Sequence, residues 1–370
     1  MRFKVSQKKL LKILENTSKA IDNNSVFLPL RNFYIDVQEN QIVICGSNGN
    51  FSVKHTLVQK TGVLEIEKLG SNLVSAALFI NIIRKCSGDI EFEQVENNLV
   101  IKNNLDSYEI NLIDKVDYPS IDFDLYGTEV DINAEQLRNA IKNVVFAASQ
   151  KEEEIILNGV NLKLENKQLI ITATNSYRLA REVINLNCPD NLFFDVTIHN
   201  KNIKDFIPQD INENVKIYVN EYKINLIHED LIIQSKIIDV PYKDVGRVFQ
   251  MQYNKSLTIN KNVLANAIGK ATVIVGDLYN KIRLEISQSQ IVIISIKNEV
   301  GNSKVILKED QFQYEGQPVI VTLNFKYLKE AISVFEEEIK LNLNNPESII
   351  LITSQSNPNN QQIVSPLRSY

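Results

Sequence analysis

Tryptophan is absent from this 370-residue chain, and cysteine, histidine, proline and glycine are scarce, with three, three, nine and twelve residues. The cysteines, Cys45, Cys86 and Cys188, are too few, too scattered and odd in number for a disulfide framework, which points to a reducing compartment. The histidines, His55, His199 and His228, stand at no metal-ligand spacing with cysteines or acids, so no metal or other cofactor is expected. No apolar run approaches the roughly 18–20 residues that span a bilayer, which excludes a membrane helix. The opening MRFKVSQKKLLKIL is amphipathic and lacks the continuous apolar run and small-residue cleavage site of a secretory signal, so a cytoplasmic location is expected. Phosphate loops are missing too. Cys45-Gly46-Ser47-Asn48-Gly49 resembles a tight turn with no Gly-Lys-Ser/Thr after it, and Gly269-Lys270 falls inside an amphipathic segment. The net charge of −5 is not that of a protein that holds nucleic acid by simple affinity. Abundant Ile, Asn and Lys match the codon bias of an AT-rich genome.

What the chain does have is a threefold internal repeat. The stretches KVSQKKLLKILENTSKA from Lys4, DINAEQLRNAIKNVVFA from Asp131 and TINKNVLANAIGKATVI from Thr258 align at a spacing of 127 residues. Each reads as the end of a strand, a Ser or Asn helix cap (Ser6, Asn133, Asn260) and an amphipathic helix. Leu10, Leu14 and Thr17 share one helix face, as do Leu137, Ile141 and Val144, and Leu264, Ile268 and Ala271. A strand pair follows each helix, from Tyr34, Leu162 and Leu284, with Ile42, Leu169 and Ile291 in corresponding places. Each copy ends by running into a proline, Pro119, Pro241 or Pro366. The period is far longer than the roughly 20–50 residues of a solenoid unit and suits three folded domains of one design.

Second helices are expected near Ser75–Lys85, His199–Phe206 and Asn324–Phe335, with alternating or short apolar strands between. Strands before and after helices, joined by hairpin-length gaps, favour α+β domains on antiparallel sheets. Boundaries near 125 and 252 give domains 1–125, 126–252 and 253–370.

The strongest local motif is Ala173-Thr174-Asn175-Ser176-Tyr177-Arg178-Leu179-Ala180, preceded by Leu157-Asn158-Gly159-Val160. It resembles the signature of the bacterial replicative sliding clamp, the beta subunit of DNA polymerase III. Met1–Lys12, Leu28-Pro29-Leu30, Ser235–Asp239 and the ending Pro366-Leu367-Arg368 resemble other stretches of that family in the same order, and the resemblance covers the whole chain. It implies the DNA clamp fold: three similar domains with two helices each on antiparallel sheets, and a ring formed by a head-to-tail homodimer. Helices would line a channel for double-stranded DNA, bound without regard to sequence.

Residue by residue, the resemblance implies three sites. Facing DNA would be Lys8, Lys9, Lys12, Arg84, Arg138, Lys142, Lys201 and Lys326, in a diffuse, salt-sensitive attraction to phosphate. At Ser25 and Glu154 the family often carries arginine. A pocket for short partner motifs with Leu and Phe anchors would comprise Leu157, Thr174, Tyr177, Arg178, Leu179, Pro241, Val248, Asn324, Tyr327, Ile363, Ser365, Pro366, Leu367 and Arg368, with Arg178, Asn324 and Arg368 donating to the peptide. Tyr177 stands where the family has His and Ser365 where it has Met or Leu. The subunit interface would pair Tyr108 and Ile110 with Ile274 and Val275. Implied partners are the clamp loader, which supplies the ATP-driven opening, the alpha-type replicative polymerase subunit and other proteins bearing clamp-binding motifs. An enzyme on a triplicated α+β fold is the alternative, and it would need a convergent set of titratable residues that the sequence does not offer. A multidomain adhesion scaffold fits neither the cysteine pattern nor the opening segment.

Overall fold

The computed structural model describes residues 1–151, 154–274, 280–297 and 301–367. The first repeat runs β1 (Arg2–Ser6), α1 (Gln7–Ser18), β2 (Asn32–Val37), β3 (Gln41–Ser47), β4 (Phe51–Val58), β5 (Leu64–Lys68), β6 (Gly70–Ser75), α2 (Ala76–Lys85), β7 (Asp89–Val95), β8 (Asn98–Asn103) and β9 (Asp106–Asn111). The second runs β10 (Thr128–Asn133), α3 (Ala134–Val145), β11 (Gly159–Glu165), β12 (Gln168–Thr174), β13 (Arg178–Asn185), β14 (Phe194–His199), α4 (Asn200–Asp205), β15 (Asn214–Val219), β16 (Lys223–His228) and β17 (Leu231–Lys236). The third runs β18 (Lys255–Asn260), α5 (Lys261–Ala271), β19 (Lys281–Ile286), β20 (Gln290–Lys297), β21 (Gly301–Lys308), β22 (Phe312–Glu315), β23 (Val319–Asn324), α6 (Phe325–Ser333), β24 (Glu338–Leu343), β25 (Ile350–Thr353) and β26 (Asn360–Val364). The order is the same each time, except that the second repeat has no counterpart of β5 and β22 among the described residues.

The expected helix faces are the buried ones: Leu10, Leu14 and Thr17 on α1, Leu137, Ile141 and Val144 on α3, Leu264, Ile268 and Ala271 on α5. The expected capping differs. Ser6 makes no side-chain cap bond and stays paired in β1 opposite Asp89, while Asn260 does accept from the Asn262 N–H at 2.9 Å. The device common to all three repeats is a backbone one. The first N–H of the leading helix donates to a carbonyl from the turn ahead of β7, β15 or β24: Gln7 to Gly88 (2.8 Å), Ala134 to Glu213 (2.9 Å) and Lys261 to Glu337 (2.8 Å). Tertiary structure thus satisfies one of the donors that a helix start leaves open.

The chain divides into two compact units, residues 1–135 with 201–237 and residues 136–200 with 238–370. In the first unit, one sheet has the order β5-β1-β7-β8-β9 and the other β10-β15-β16-β17-β4-β3-β2-β6. Its core gathers Phe3, Phe33, Phe79 and Phe92 with Leu10, Ile13 and Leu14 of α1, and Phe3 stacks on Phe92 at 4.6 Å. In the second unit the sheets run β14-β11-β12-β13-β26-β25-β24-β18-β22 and β21-β20-β19-β23. There α5 and α6 pack together over Leu257, Ile282, Leu284, Ile293, Leu323 and Leu341.

These units do not follow the repeat boundaries, because sheets cross them. Strand β17 of the second repeat pairs antiparallel with β4 of the first, Leu231 opposite His55 and Ser235 opposite Phe51. Strand β13 of the second repeat pairs in the same way with β26 of the third, Arg178 opposite Val364 and Glu182 opposite Asn360. The strands of the central repeat are therefore shared out between the two units.

Candidate functional site

In the second unit a groove of about 360 Å³ lies at the β13–β26 junction. Its floor is the facing pair Leu179 and Ile363, 6% and 3% exposed. One rim is the 3₁₀ turn Ile155–Asn158, which presents Ile156 and Leu157, and another is the segment after β17, with Tyr242, Lys243, Val245 and Val248. Ile349 and Ser365 complete the lining with Thr174, Ser176 and Arg178. Leu179, Phe249, Leu351 and Ile363 form a small apolar cluster of their own, against which Val245, Val248, Tyr253 and Ile349 pack. Leu157, Leu179, Val245, Val248, Ile349 and Ile363 make the lining mostly apolar, which suits the reception of apolar side chains.

The local sequence builds this site. Asn175 Oδ1 accepts from the N–H groups of Tyr177 (3.1 Å) and Arg178 (3.0 Å), and Thr174 Oγ1 donates to the Arg178 carbonyl at 2.6 Å. These bonds close the β12–β13 turn around Ser176, whose φ of +71° few side chains tolerate, and launch Leu179 into the floor. Gly159 is required by close packing, since a Cβ there would stand 2.2 Å from Thr197 Cγ2. In the first repeat the counterparts of Leu179 and Thr174, 127 residues earlier, are Ser52 and Ser47, whose hydroxyls bond each other at 2.8 Å. A polar floor replaces the apolar one there.

Of the expected pocket residues, Leu157, Thr174, Arg178, Leu179, Val248, Ile363 and Ser365 line the groove; Tyr177, Pro241, Asn324, Tyr327, Pro366 and Leu367 do not, and Arg368 lies outside the described residues. Tyr177 is 60% exposed on the turn, and its backbone carbonyl accepts from the Ser365 N–H. Asn324 caps α6 through the N–H groups of Lys326 and Tyr327, so its oxygen is committed within the fold. Arg178, expected to serve a peptide, is 7% exposed, pairs with Glu330, donates to the Phe146 carbonyl and lies over the rings of Tyr327 (4.5 Å) and Phe146 (5.2 Å). Leu367 is held by its N–H on the Thr322 carbonyl. Sequence reading missed Ile156, Ser176, Tyr242, Lys243, Val245 and Ile349. Ile156, Ser176 and Tyr242 each adjoin a residue it did select, and that adjacency was the available signal. Burial raises the Tyr242 hydroxyl pKa above its ordinary value, so this side chain stays protonated.

A second feature is the charge on the helices. The six α-helices of the described residues carry thirteen Lys or Arg against four Asp or Glu, a surplus of nine. With a chain total of −5, everything outside them carries −14. Among the expected basic residues, Lys8, Lys9, Lys12, Arg84, Lys142 and Lys201 are partly or fully exposed, and Arg138 and Lys326 are half-buried. Lys12 pairs with Asp210 at 2.6 Å and Arg84 with Glu15 at 3.3 Å. Lys85, Lys204, Lys270 and Lys329 extend the set beyond those the sequence singled out. His55, on β4, is held down to a pKa of about 4, mainly by burial and further by Lys9 and Lys12, with Asp210 opposing.

A third feature is a pair of sheet edges. Strand β9 ends the five-stranded sheet of the first unit, and Tyr108 and Ile110 alternate along it, half-buried. Strand β21 ends the four-stranded sheet of the second unit, with Ile306 48% exposed. Ile274 sits in the turn after α5, and Val275 lies outside the described residues.

Fold and repeat together define a three-domain DNA clamp subunit. The family descriptions that match are the DNA polymerase III beta subunit N-terminal domain over residues 1–122, central domain over 131–244 and C-terminal domain over 246–368. The chain is 32% identical to the beta sliding clamp of Mycoplasmopsis pulmonis, with 100% of each chain covered, and 27% identical to that of Mycoplasma capricolum, with 99% of each covered. The crystal structure of the DNA polymerase sliding clamp from Bacillus subtilis superimposes with a TM-score of 0.94 at 24% identity, covering 100% of both chains. This chain belongs to the DNA polymerase III beta-subunit family, the bacterial sliding clamps.

Proposed function

We propose that two copies of this chain close head to tail into a ring around duplex DNA and tether the replicative polymerase and other replication and repair proteins to it. The observation that carries this reading is the partition of charge. A surplus of nine positive charges on the helices of an acidic chain suits a surface that holds phosphate loosely while the rest of the molecule repels it. Eight of the helix cations are the DNA-facing residues Lys8, Lys9, Lys12, Arg84, Arg138, Lys142, Lys201 and Lys326. Such a ring retains DNA by topology, needs no catalytic group and acts as a processivity factor in the bacterial cytoplasm. A clamp loader opens it.

Closure follows from how the repeats join. Strand β4 takes β17, and β13 takes β26; the corresponding strands left over are β21 and β9. An unpaired edge is a docking template; the contact between β21 of one copy and β9 of another is heterologous, and it closes as a dimer when each subunit turns the chain through half a circle. The equivalent of His55 and Glu182 on β21 is Val305, from the hairpin partners Leu57, Ile184 and Leu307. The equivalent of Leu231 on β9 is Asp106, from the hairpin pairs His228–Leu231 and Asn103–Asp106. Val305 of one copy therefore faces Asp106 of the other, Lys304 faces Ser107 and Ser303 faces Tyr108. We assign Ile274 and Val275 to the same contact between copies.

The groove over Leu179 and Ile363 receives the Leu and Phe anchors of partner motifs, the polymerase alpha-type subunit among them. Buried apolar anchors of this kind carry most of the energy of small interfaces.

The test is topological. The protein is loaded on nicked circular DNA with a bacterial clamp loader, the complex is isolated and the circle is cut once. Release on linearisation, with retention on the uncut circle, is the expected result; equal retention on both forms refutes encirclement.

A further inference from the structure

The face of β13 that supplies the groove floor also carries Arg181, two residues beyond Leu179 and opposite Gln361 of β26. Arg181 does not line the groove. Its Nε donates to Gln361 Oε1 at 3.0 Å, its Nη2 bonds the same oxygen, and its guanidinium carbon stands 3.9 Å from the centre of the Phe249 ring. Phe249, 7% exposed, belongs to the 3₁₀ turn Gly246–Gln250, next to the groove residue Val248. It packs in the same small cluster as Leu179 and Ile363, with Val245 and Val248 against it. A cation fixed to the sheet thus holds a ring, and that ring seats the two valines of the groove wall.

The first repeat contains the same device. Lys54, 127 residues before Arg181, faces the ring of Phe123 at 5.0 Å, in the segment that follows the first repeat as Phe249's segment follows the second. The ring is held there by a lysine, more loosely, above a floor that is serine rather than leucine.

We propose that Arg181 is a positioning residue of the peptide groove: it fixes Phe249 and thereby the Val245–Val248 wall against which a partner's apolar anchor seats. This rests on the reading of the groove as the motif site. The repeat sharpens the requirement, because two cations of different shape, Arg181 and Lys54, face a ring at this position, so positive charge is the property expected to matter.

The test uses the full-length protein and a fluorescent ten-residue peptide with one Leu and one Phe anchor, followed by anisotropy. Arg181→Met should weaken binding about tenfold, and Arg181→Lys should stay within about threefold of the parent, the scale of a partly desolvated cation–π contact. In a Phe249→Leu background, Arg181→Met should add nothing, since its ring is gone. The methyl resonances of Val245 and Val248 should shift in Arg181→Met and return in Arg181→Lys, a readout that needs no peptide. Parent-like affinity in Arg181→Met, a full loss in Arg181→Lys, or an equal further loss in the Phe249→Leu background overturns the proposal. Failure of the parent protein to bind the peptide, with the methyl shifts as expected, instead refutes the groove reading and leaves Arg181 as a support of the wall alone, which overturns its role in binding.

Discussion

His55 makes acid sensitivity of the fold a quantitative expectation. It lies on β4 opposite Leu231 of β17, so it sits in the sheet that joins the first two repeats. Its Nε2 is buried without a hydrogen-bond partner, and its pKa falls from 6.5 to about 4, chiefly through burial, then through Lys9 and Lys12, with Asp210 pulling the other way. A folded pKa below the unfolded one means that the unfolded chain takes up a proton first as pH falls. Stability is therefore intact above pH 6.5, declines as pH falls towards 4 and levels off below that. At 1.36 kcal/mol per pKa unit, the full span amounts to about 3 kcal/mol and the interval from pH 7 to pH 5 to about 2 kcal/mol. That interval is diagnostic, because the carboxylates held low, Asp122, Glu129, Asp210 and Glu213, have ordinary values of 3.8 to 4.5 and act mostly below it.

The assay is urea denaturation of the parent and of His55→Gln at pH 7 and pH 5, at fixed ionic strength. The parent should lose about 2 kcal/mol on acidification and the variant should lose much less. An equal loss in both would place the acid sensitivity elsewhere. No loss in the parent would mean that His55 is solvated in solution.

Three further outcomes follow from the groove, the edges and the helices. Val248→Asp puts a carboxylate on a half-buried groove wall and should weaken motif-peptide binding at least about tenfold by leaving that charge desolvated, with dimer mass unchanged in sedimentation. Lys304→Cys combined with Ser107→Cys should give a disulfide between copies on mild oxidation, converting the dimer to a covalent circle on non-reducing gels; neither single variant should, and a cross-link only at a register shifted by two would disprove the strand equivalence. Lys8→Glu with Lys9→Glu should reduce the salt dependence of DNA association by about 0.9 in log–log slope for each phosphate that α1 no longer neutralises, and an unchanged slope would remove α1 from the DNA-facing surface.

Much of the architecture is legible in the sequence because it depends on short-range pattern. The buried faces of α1, α3 and α5 follow from apolar residues three and four apart, and the hairpins β2–β3, β11–β12 and β19–β20 from apolar runs broken by a few polar residues. What stays hidden depends on partners distant along the chain. Nothing near Ser6 tells that the Gly88 carbonyl will meet the start of α1 in place of a side-chain cap. Nothing near Phe51–Val58 tells that β17, starting at Leu231, will extend its sheet. The groove was half legible for the same reason. Leu157 and Leu179 sit in a turn and a strand with a recognisable motif, whereas Tyr242, Lys243 and Val245 belong to an irregular segment with no pattern of its own. Asn324 and Arg178 show the converse limit: a polar residue in the right motif can be committed to a helix cap or an ion pair.

The three equivalent positions His55, Glu182 and Val305 show how one repeat is specialised three ways. Within the chain, both junctions tolerate a buried polar group. Glu182, 8% exposed, accepts from Asn143 (3.2 Å), Asn357 (3.0 Å) and Asn360 (2.5 Å), while His55 stays neutral because its pKa is low. Those groups are desolvated once, at folding, among neighbours that are always present. In the proposed ring, the edge that carries Val305 must instead find its partner on a second copy and release it whenever the ring opens. A polar group there would lose its water at every closure, at a cost of roughly 1–3 kcal/mol if its partners were imperfectly placed. Val305 itself carries no such penalty, and Asp106 opposite it lies at the exposed tip of the β8–β9 hairpin, where its carboxylate keeps its water. The apolar residue thus falls at the one junction of the three that has to be reversible.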